Sequence, residues 1–229
     1  MSEDNLLLRG RGIGRRAPNS DRWLLRDISI DICSGERLAV VGPSGSGKSL
    51  LLRALALLDG IDAGEIELRL QHPASRGVPN HRRDVVYLHQ RPALFEGTVE
   101  SNLQKPFSLK IHRNRSYDRD RVLELLRAVG RDDSFLRKTN EQLSGGEAQI
   151  TALIRAIQLE PAVLLLDEPT AALDQETAAA AERLVNAWLK HGQHARAMVL
   201  VSHDLSQAER MSDRVLEIRD GRLEGNAGE

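Results

Sequence analysis

Apolar residues recur along this chain with two spacings, and each predicts a different element. Leu24 to Ile32 alternates, with Ile28, Ile30 and Ile32 facing one way and Asp27, Ser29 and Asp31 the other. That is the pattern of a half-buried antiparallel strand. Glu65 to Leu70 alternates in the same way, and Leu6-Leu7-Leu8 opens a first strand. Leu38 to Val41, Asp84 to Gln90, Val163 to Leu166 and Met198 to Val201 are continuous or near-continuous apolar runs suited to strands buried on both faces. Helical spacing appears at Val122, Leu125, Leu126 and Val129, with Gly130 as a stop. It appears again over Gly146 to Gln158, and after Asp174, an N-cap for a helix that buries Ala181, Leu184, Val185, Trp188 and Leu189.

Between these lie predicted loops and turns. Gly10 to Ser20 is rich in Gly, Arg, Pro and Asn, and Gln71 to Arg83 is polar with Pro73, Gly77 and Pro79. Ser34-Gly35-Glu36 and Asp220-Gly221 are turns, with a last strand at Val215 to Ile218 and a disordered tail at Gly225 to Glu229. Arg91-Pro92 ends the Asp84 run, and Pro92 to Thr139 reads as a mostly α-helical insertion. Buried strands alternating with helices make the class α/β, with a mostly parallel sheet flanked by helices and an antiparallel β subdomain.

Composition narrows this picture only slightly. The 229 residues suffice for one large domain with a core of Leu, Val, Ile and Ala, since aromatics are 3%. Net charge is −1, which argues against general nucleic-acid or membrane-surface affinity. One cysteine, Cys33, excludes an intrachain disulfide and a cysteine-cluster metal site. Met1-Ser2-Glu3-Asp4-Asn5 is acidic and lacks the features of a signal peptide. Leu50 to Leu58, broken by Arg53, is too short to span a bilayer, so any membrane role needs another chain to carry the spans.

The candidate chemistry sits at strand ends. Gly42-Pro43-Ser44-Gly45-Ser46-Gly47-Lys48-Ser49 fits the phosphate-binding loop G-x-x-x-x-G-K-[ST] between a predicted strand and helix. Its glycines let backbone N–H groups form a nest around phosphate oxygens, and the following helix adds its positive end. Lys48 reaches the β- and γ-phosphates, and the Ser49 hydroxyl ligates Mg²⁺. A second apolar strand ends in Asp167-Glu168. Asp167 holds Mg²⁺ directly or through water, and Glu168 activates the attacking water as a general base or by positioning it. Leu143-Ser144-Gly145-Gly146-Glu147 opens a helix as a second anion cradle. One nucleotide in one domain seldom needs two cradles, so the second is expected to serve the nucleotide of a second subunit.

With these motifs in place the chain resembles the ATP-binding-cassette (ABC) ATPases, whose signature is Leu-Ser-Gly-Gly-Gln. The resemblance covers nearly the whole chain, in the order P-loop, Gln90, signature, Asp167-Glu168, Ala172-Leu173-Asp174 and His203. It implies a single ABC domain over 1–229, with 1–91 and 140–229 as the core and 92–139 as the helical subdomain. It also implies two cassettes paired head to tail, with ATP between one P-loop and Ser144, Gly145, Gly146 and Glu147 of the other copy. Gln90 then resembles the glutamine that contacts Mg²⁺ and the nucleophilic water, Asp174 the aspartate at the dimer interface, and His203 the histidine near the γ-phosphate.

Several positions depart from the family pattern. Glu147 replaces the usual glutamine, Ile150 stands where an arginine commonly follows Gln149, and Leu50 replaces a threonine. The aromatic that stacks on adenine is missing near Arg15 to Ala17. Arg15 and Arg16 stand there instead, and Trp23 is either a base platform or a core or interface residue. The absence of coiled coils or a second cassette favours a transporter subunit at the cytoplasmic face of the inner membrane, partnered with an integral membrane subunit. Pro92-Ala93-Leu94-Phe95 then lines the groove that receives it. The stretch Leu94-Phe95-Glu96-Gly97-Thr98-Val99, together with Glu147, resembles bacterial cassettes assigned to iron export. Uptake of phosphate or an amino acid, and a soluble non-transport ATPase, are the competing readings.

Overall fold

The computed structural model describes residues 5–190 and 195–224; the expected tail at Gly225 to Glu229 and the acidic Met1 to Asp4 lie outside the described residues. In chain order the elements are β1 (Leu6–Arg16), β2 (Trp23–Cys33), β3 (Arg37–Val41), α1 (Lys48–Leu55), β4 (Ala63–Leu68), α2 (Pro73–Arg76), α3 (Val78–Asp84) and β5 (Val85–Leu88). There follow α4 (Val99–Gln104), α5 (Arg119–Ala128), α6 (Gly145–Ile157), β6 (Val163–Asp167), α7 (Gln175–Lys190), β7 (Ala197–Val201), α8 (Leu205–Met211), β8 (Arg214–Arg219) and β9 (Arg222–Glu224).

The strands form two sheets. One has the order β2-β1-β4 and is antiparallel throughout; the other has the order β5-β6-β7-β3-β8-β9. In the larger sheet β6, β7, β3 and β8 run parallel, and β9 turns back on β8. The central strands are apolar on both faces, as parallel strands covered by helices must be. Leu38, Val40, Val163, Leu165, Val199 and Val201 are all fully buried in one core with Leu51, Leu52 and Leu55 of α1. Ile28, Ile30 and Ile32 of β2 join the same core, while Asp27 and Ser29 on the other face are exposed.

The chain divides into two compact units. The first comprises Met1–Tyr87, Ala162–Glu168 and Gln193–Glu229; the second comprises Leu88–Pro161 and Pro169–Gly192. The second unit holds α4 to α7, with 3₁₀ turns at Lys105–Ser108, Lys110–His112 and Asp133–Arg137. Val122, Leu125, Leu126 and Val129 are buried there, and Gly130 ends α5 with φ 70°.

Three expectations need correction. The predicted loop from Gly10 is strand as far as Arg16. Its glycines serve close packing: a Cβ at Gly14 would lie 2.7 Å from the Trp23 ring, and Gly12 sits at φ 58° where the pairing with β2 shifts register. A bulged strand needs such residues, and in sequence they look like a loop. Gln71 to Arg83 is not an open loop but carries α2 and α3, each with proline in its first turn. The His72 imidazole accepts from the Ala74 N–H at 3.1 Å, and His81 is fully buried against the Leu55 carbonyl at 2.8 Å. Finally, β4 stops at Leu68. Leu70 adopts φ 57° and is 47% exposed rather than continuing the inward face.

Candidate nucleotide-binding site

The loop from Gly42 to Ser49 joins β3 to α1, and its shape depends on glycine. Gly42 has φ 141°, and a Cβ there would collide with the Ile218 carbonyl oxygen. Gly47 has φ 109°, and a Cβ would lie 2.8 Å from Leu25 Cδ2 and 3.1 Å from the Leu24 carbonyl oxygen. Gly45, at φ 77°, faces open space. The start of β2 thus backs one side of the loop, leaving Pro43, Ser44 and Gly45 exposed. Lys48 is buried and curls back over the loop, its Nζ donating to the carbonyls of Gly42 and Pro43, both at 2.8 Å. Burial lowers its pKa, while Glu168 and Asp167 act in the opposite sense. The Ser46 hydroxyl is buried with no hydrogen-bond partner.

Asp167 ends β6 beside this loop. Its Oδ1 accepts from the Ser49 hydroxyl at 3.0 Å and its Oδ2 from the Tyr87 hydroxyl at 2.7 Å. Tyr87 was not among the residues singled out from sequence, and a lone tyrosine in an apolar strand carries no signal for such a role. Burial and the Asp167 carboxylate raise its pKa, so it remains a proton donor at neutral pH. Tyr87→Phe removes a hydrogen bond to a buried carboxylate. It is expected to cost about 1.5–3 kcal/mol of stability in urea unfolding. An unchanged unfolding midpoint would contradict this.

Glu168 follows at φ 49°, a strained conformation for a side chain of this size, and its N–H donates to the Val201 carbonyl at 3.0 Å. Its Oε1 lies 2.6 Å from His203 Nε2, just beyond β7. The structure therefore brings together four of the sequence-predicted groups in the first unit: the P-loop with its Ser49, Asp167, Glu168 and His203.

The remaining candidates belong to the second unit. Gln90 is exposed in the bend after β5. Ser144 caps α6, its hydroxyl accepting from the Glu147 N–H at 3.2 Å, while Glu147 Oε2 accepts from the Ser144 N–H at 3.1 Å. This reciprocal capping box fixes the helix start. A Cβ at Gly146 would lie 2.9 Å from the Ala172 carbonyl oxygen, so only glycine lets this turn lie so close to the Ala172-Leu173-Asp174 segment. Asp174 is exposed and caps α7, accepting from the Thr177 N–H at 2.9 Å and hydroxyl at 2.7 Å; these bonds lower its pKa.

The departures from the family pattern have visible consequences. Ile150 is fully buried, so it packs inward and does not present a helix surface. Leu50 packs against the main core. Trp23 is half-buried, with the Arg16 guanidinium 4.6 Å from its ring centroid and Arg16 also paired to Asp21 at 3.1 Å.

These features suit a magnesium-bound nucleoside triphosphate. The unpartnered Ser46 hydroxyl, the open face at Gly45 and a lysine hydrogen-bonded to loop carbonyls all fit an anion in the loop. Among the described residues, no group of three or more His, Cys, Asp or Glu could hold a metal by itself. The donor set of one serine hydroxyl and one carboxylate suits Mg²⁺, which usually shares its shell with substrate phosphates and water.

Fold and site define a P-loop nucleotide-binding protein. Residues 25–171 match the profile of the ABC transporter family, and the chain belongs to that family. The chain is 41% identical over 202 residues to an Fe(3+) ions import ATP-binding protein of Rhodococcus jostii, covering 87% of this chain and 56% of that protein. It is also 41% identical over 204 residues to a sulfate/thiosulfate import ATP-binding protein of Nocardia farcinica, covering 87% and 59%. The chain thus spans less than two thirds of the length of these two relatives. A probable anion import ATP-binding protein of Haloferax volcanii is 38% identical over 230 residues, covering 93% and 75%. Among solved structures, the dimeric post-hydrolysis ATP-binding cassette MJ0796 bound to ADP and Pi superposes with TM-score 0.83 at 25% identity, covering 95% of this chain and 97% of that one.

Proposed function

We propose that this chain is the ATP-binding and ATP-hydrolysing subunit of an ABC importer for a small inorganic ion. In this reading it works as a pair of cassettes at the cytoplasmic face of the inner membrane, bound to a separate integral membrane subunit. The observation that carries the proposal is the cluster of Lys48, Ser49, Asp167, Glu168 and His203 around one glycine-shaped loop. Direction follows the relatives, which are named as iron(III), sulfate and anion importers. Import therefore replaces the iron export expected from Leu94 to Val99.

Each residue takes a defined part. Gly42 to Gly47 and Lys48 bind the phosphates of ATP, and Ser49 and Asp167 hold Mg²⁺. Bound Mg²⁺·ATP supplies the phosphoanhydride bond and the charge neutralisation for its cleavage. Glu168 takes the proton of the attacking water on its carboxylate, and His203 orients that carboxylate through the 2.6 Å contact. Ser144, Gly145, Gly146 and Glu147 of one copy close over the nucleotide of the other, with Asp174 at their interface. The chain acts as one domain over 1–229, with 92–139 as the helical subdomain. There Phe95 is 54% exposed between Lys105 and Arg155, whose charges lie 5.5 and 5.9 Å from its ring centroid. In this reading Phe95, with Pro92, Ala93 and Leu94, lines the groove that receives the membrane subunit.

Co-purification from membranes tests the proposal. The expected result is a complex with a membrane-spanning partner that Phe95→Ala weakens, and whose reconstitution gives ATP-dependent uptake. A partner without membrane spans, or ATP-dependent efflux, would overturn it.

A further inference from the structure

The glutamate in the second cradle raises an electrostatic difficulty. Ser144 to Glu147 opens α6, a helix of 13 residues, and the first-turn N–H groups of a helix lack intrahelical acceptors. The Glu147 N–H is bound by the Ser144 hydroxyl and the Ala148 N–H by the Ser144 carbonyl. The N–H groups of Gly145 and Gly146 are the ones left to receive an anion from outside the helix. A carboxylate at the fourth position of the same turn puts a negative charge beside them. Glutamine, the family's usual residue there, would make the same capping contact without that charge.

The structure supplies the compensating charge. Lys138 precedes the short 3₁₀ turn Asn140–Gln142, and its Nζ lies 2.7 Å from Glu147 Oε1, while Oε2 is engaged with the Ser144 N–H. Both carboxylate oxygens are thus occupied, one by the ammonium and one by the cradle's own backbone. The Glu147 side chain is 15% exposed, so the pair is partly shielded from water. Lys138 also stands 5.8 Å from the centre of the Phe135 ring, which is buried and gives the ammonium a fixed neighbour.

We propose that Lys138 is a positioning residue of the second nucleotide cradle. Its charge cancels that of Glu147, so that an acidic signature turn can close over the phosphates of a nucleoside triphosphate held by another copy. Lys138 and Glu147 together do what a single glutamine would do: they cap the helix and present a neutral first turn. The inference rests on the two-copy reading proposed above.

The test is a double-mutant cycle in a Glu168→Gln background, reading the ATP concentration at half-maximal dimer formation by light scattering. Lys138→Met removes the ion-pair partner of Glu147, leaving only the weaker influence of Arg131, and should raise that concentration about fivefold for each site, the scale of a partly exposed ion pair. Adding Glu147→Gln to Lys138→Met should recover most of the loss, because the charge to be cancelled is gone. Lys138→Arg, which keeps the charge, should dimerise far better than Lys138→Met. A Lys138→Met variant as competent as its parent would overturn the proposal. So would a double variant no better than Lys138→Met, since the lysine would then act only through local folding. A Glu168→Gln parent that stays monomeric at saturating ATP would instead reject the two-copy reading itself, and this inference with it.

Discussion

Lys48→Ala is expected to abolish productive ATP binding and hydrolysis. The ammonium is buried in the loop and bonded to the Gly42 and Pro43 carbonyls, both at 2.8 Å. Its removal takes away the charge aimed at the phosphates and leaves those two carbonyls without their donor. Losing one preorganised donor to a developing phosphate charge costs roughly 100- to 1000-fold in rate, and here ground-state affinity falls as well. Steady-state hydrolysis and equilibrium binding of ATP measure the two effects separately. A variant that hydrolyses ATP at the parent's rate would reject the P-loop assignment.

Glu168→Gln is the second large effect. Glutamine keeps the length of the side chain and can still bond His203, but its amide cannot take up a proton at neutral pH. The expected loss in hydrolysis is roughly 10²- to 10⁴-fold, the range for a positioned general base. Binding does not depend on that proton transfer, so the variant should accumulate as an ATP-bound dimer of about twice the monomer mass in light scattering. Hydrolysis at the parent's rate would remove Glu168 from the proposed role. The positive φ at this residue is a backbone property that both side chains must bear.

Much of this site was legible in the sequence because its parts are local. A glycine-spaced loop between an apolar strand and a helix, and a carboxylate pair ending another strand, are patterns of neighbouring residues. Burial of Leu38 to Val41 and Val163 to Leu166 followed from the same pattern. The fold was less legible where glycine and proline had other uses. The Gly10 to Gly14 stretch looks like a loop because a bulged strand and a loop need the same residue, and Pro73 and Pro79 begin short helices instead of preventing them. Residues whose role depends on a distant partner left no local signal. Tyr87 meets Asp167 across 80 positions, so their contact appears only once β5 and β6 share a sheet. Lys138 is closer to Glu147 in sequence, yet nothing in the spacing shows the turn that brings them together. Transport direction is read from a short local stretch, Gln90 to Asn102, with the helical insertion and Glu147; relatives matched over most of the chain are named importers and outweigh it.

In the proposed pairing the phosphate loop is half of a site that another copy of the chain completes. Mixing two inactive variants distinguishes a shared site from a self-contained one. Lys48→Ala damages the loop and leaves the Ser144 to Gly146 cradle intact, whereas Ser144→Arg blocks the cradle and leaves the loop intact. Each variant alone should be inactive. Mixed, they can form pairs in which the intact loop of one copy faces the intact cradle of the other, and the mixture should regain ATP hydrolysis. A mixture no more active than the sum of its parts would show that loop and cradle do not meet across two copies.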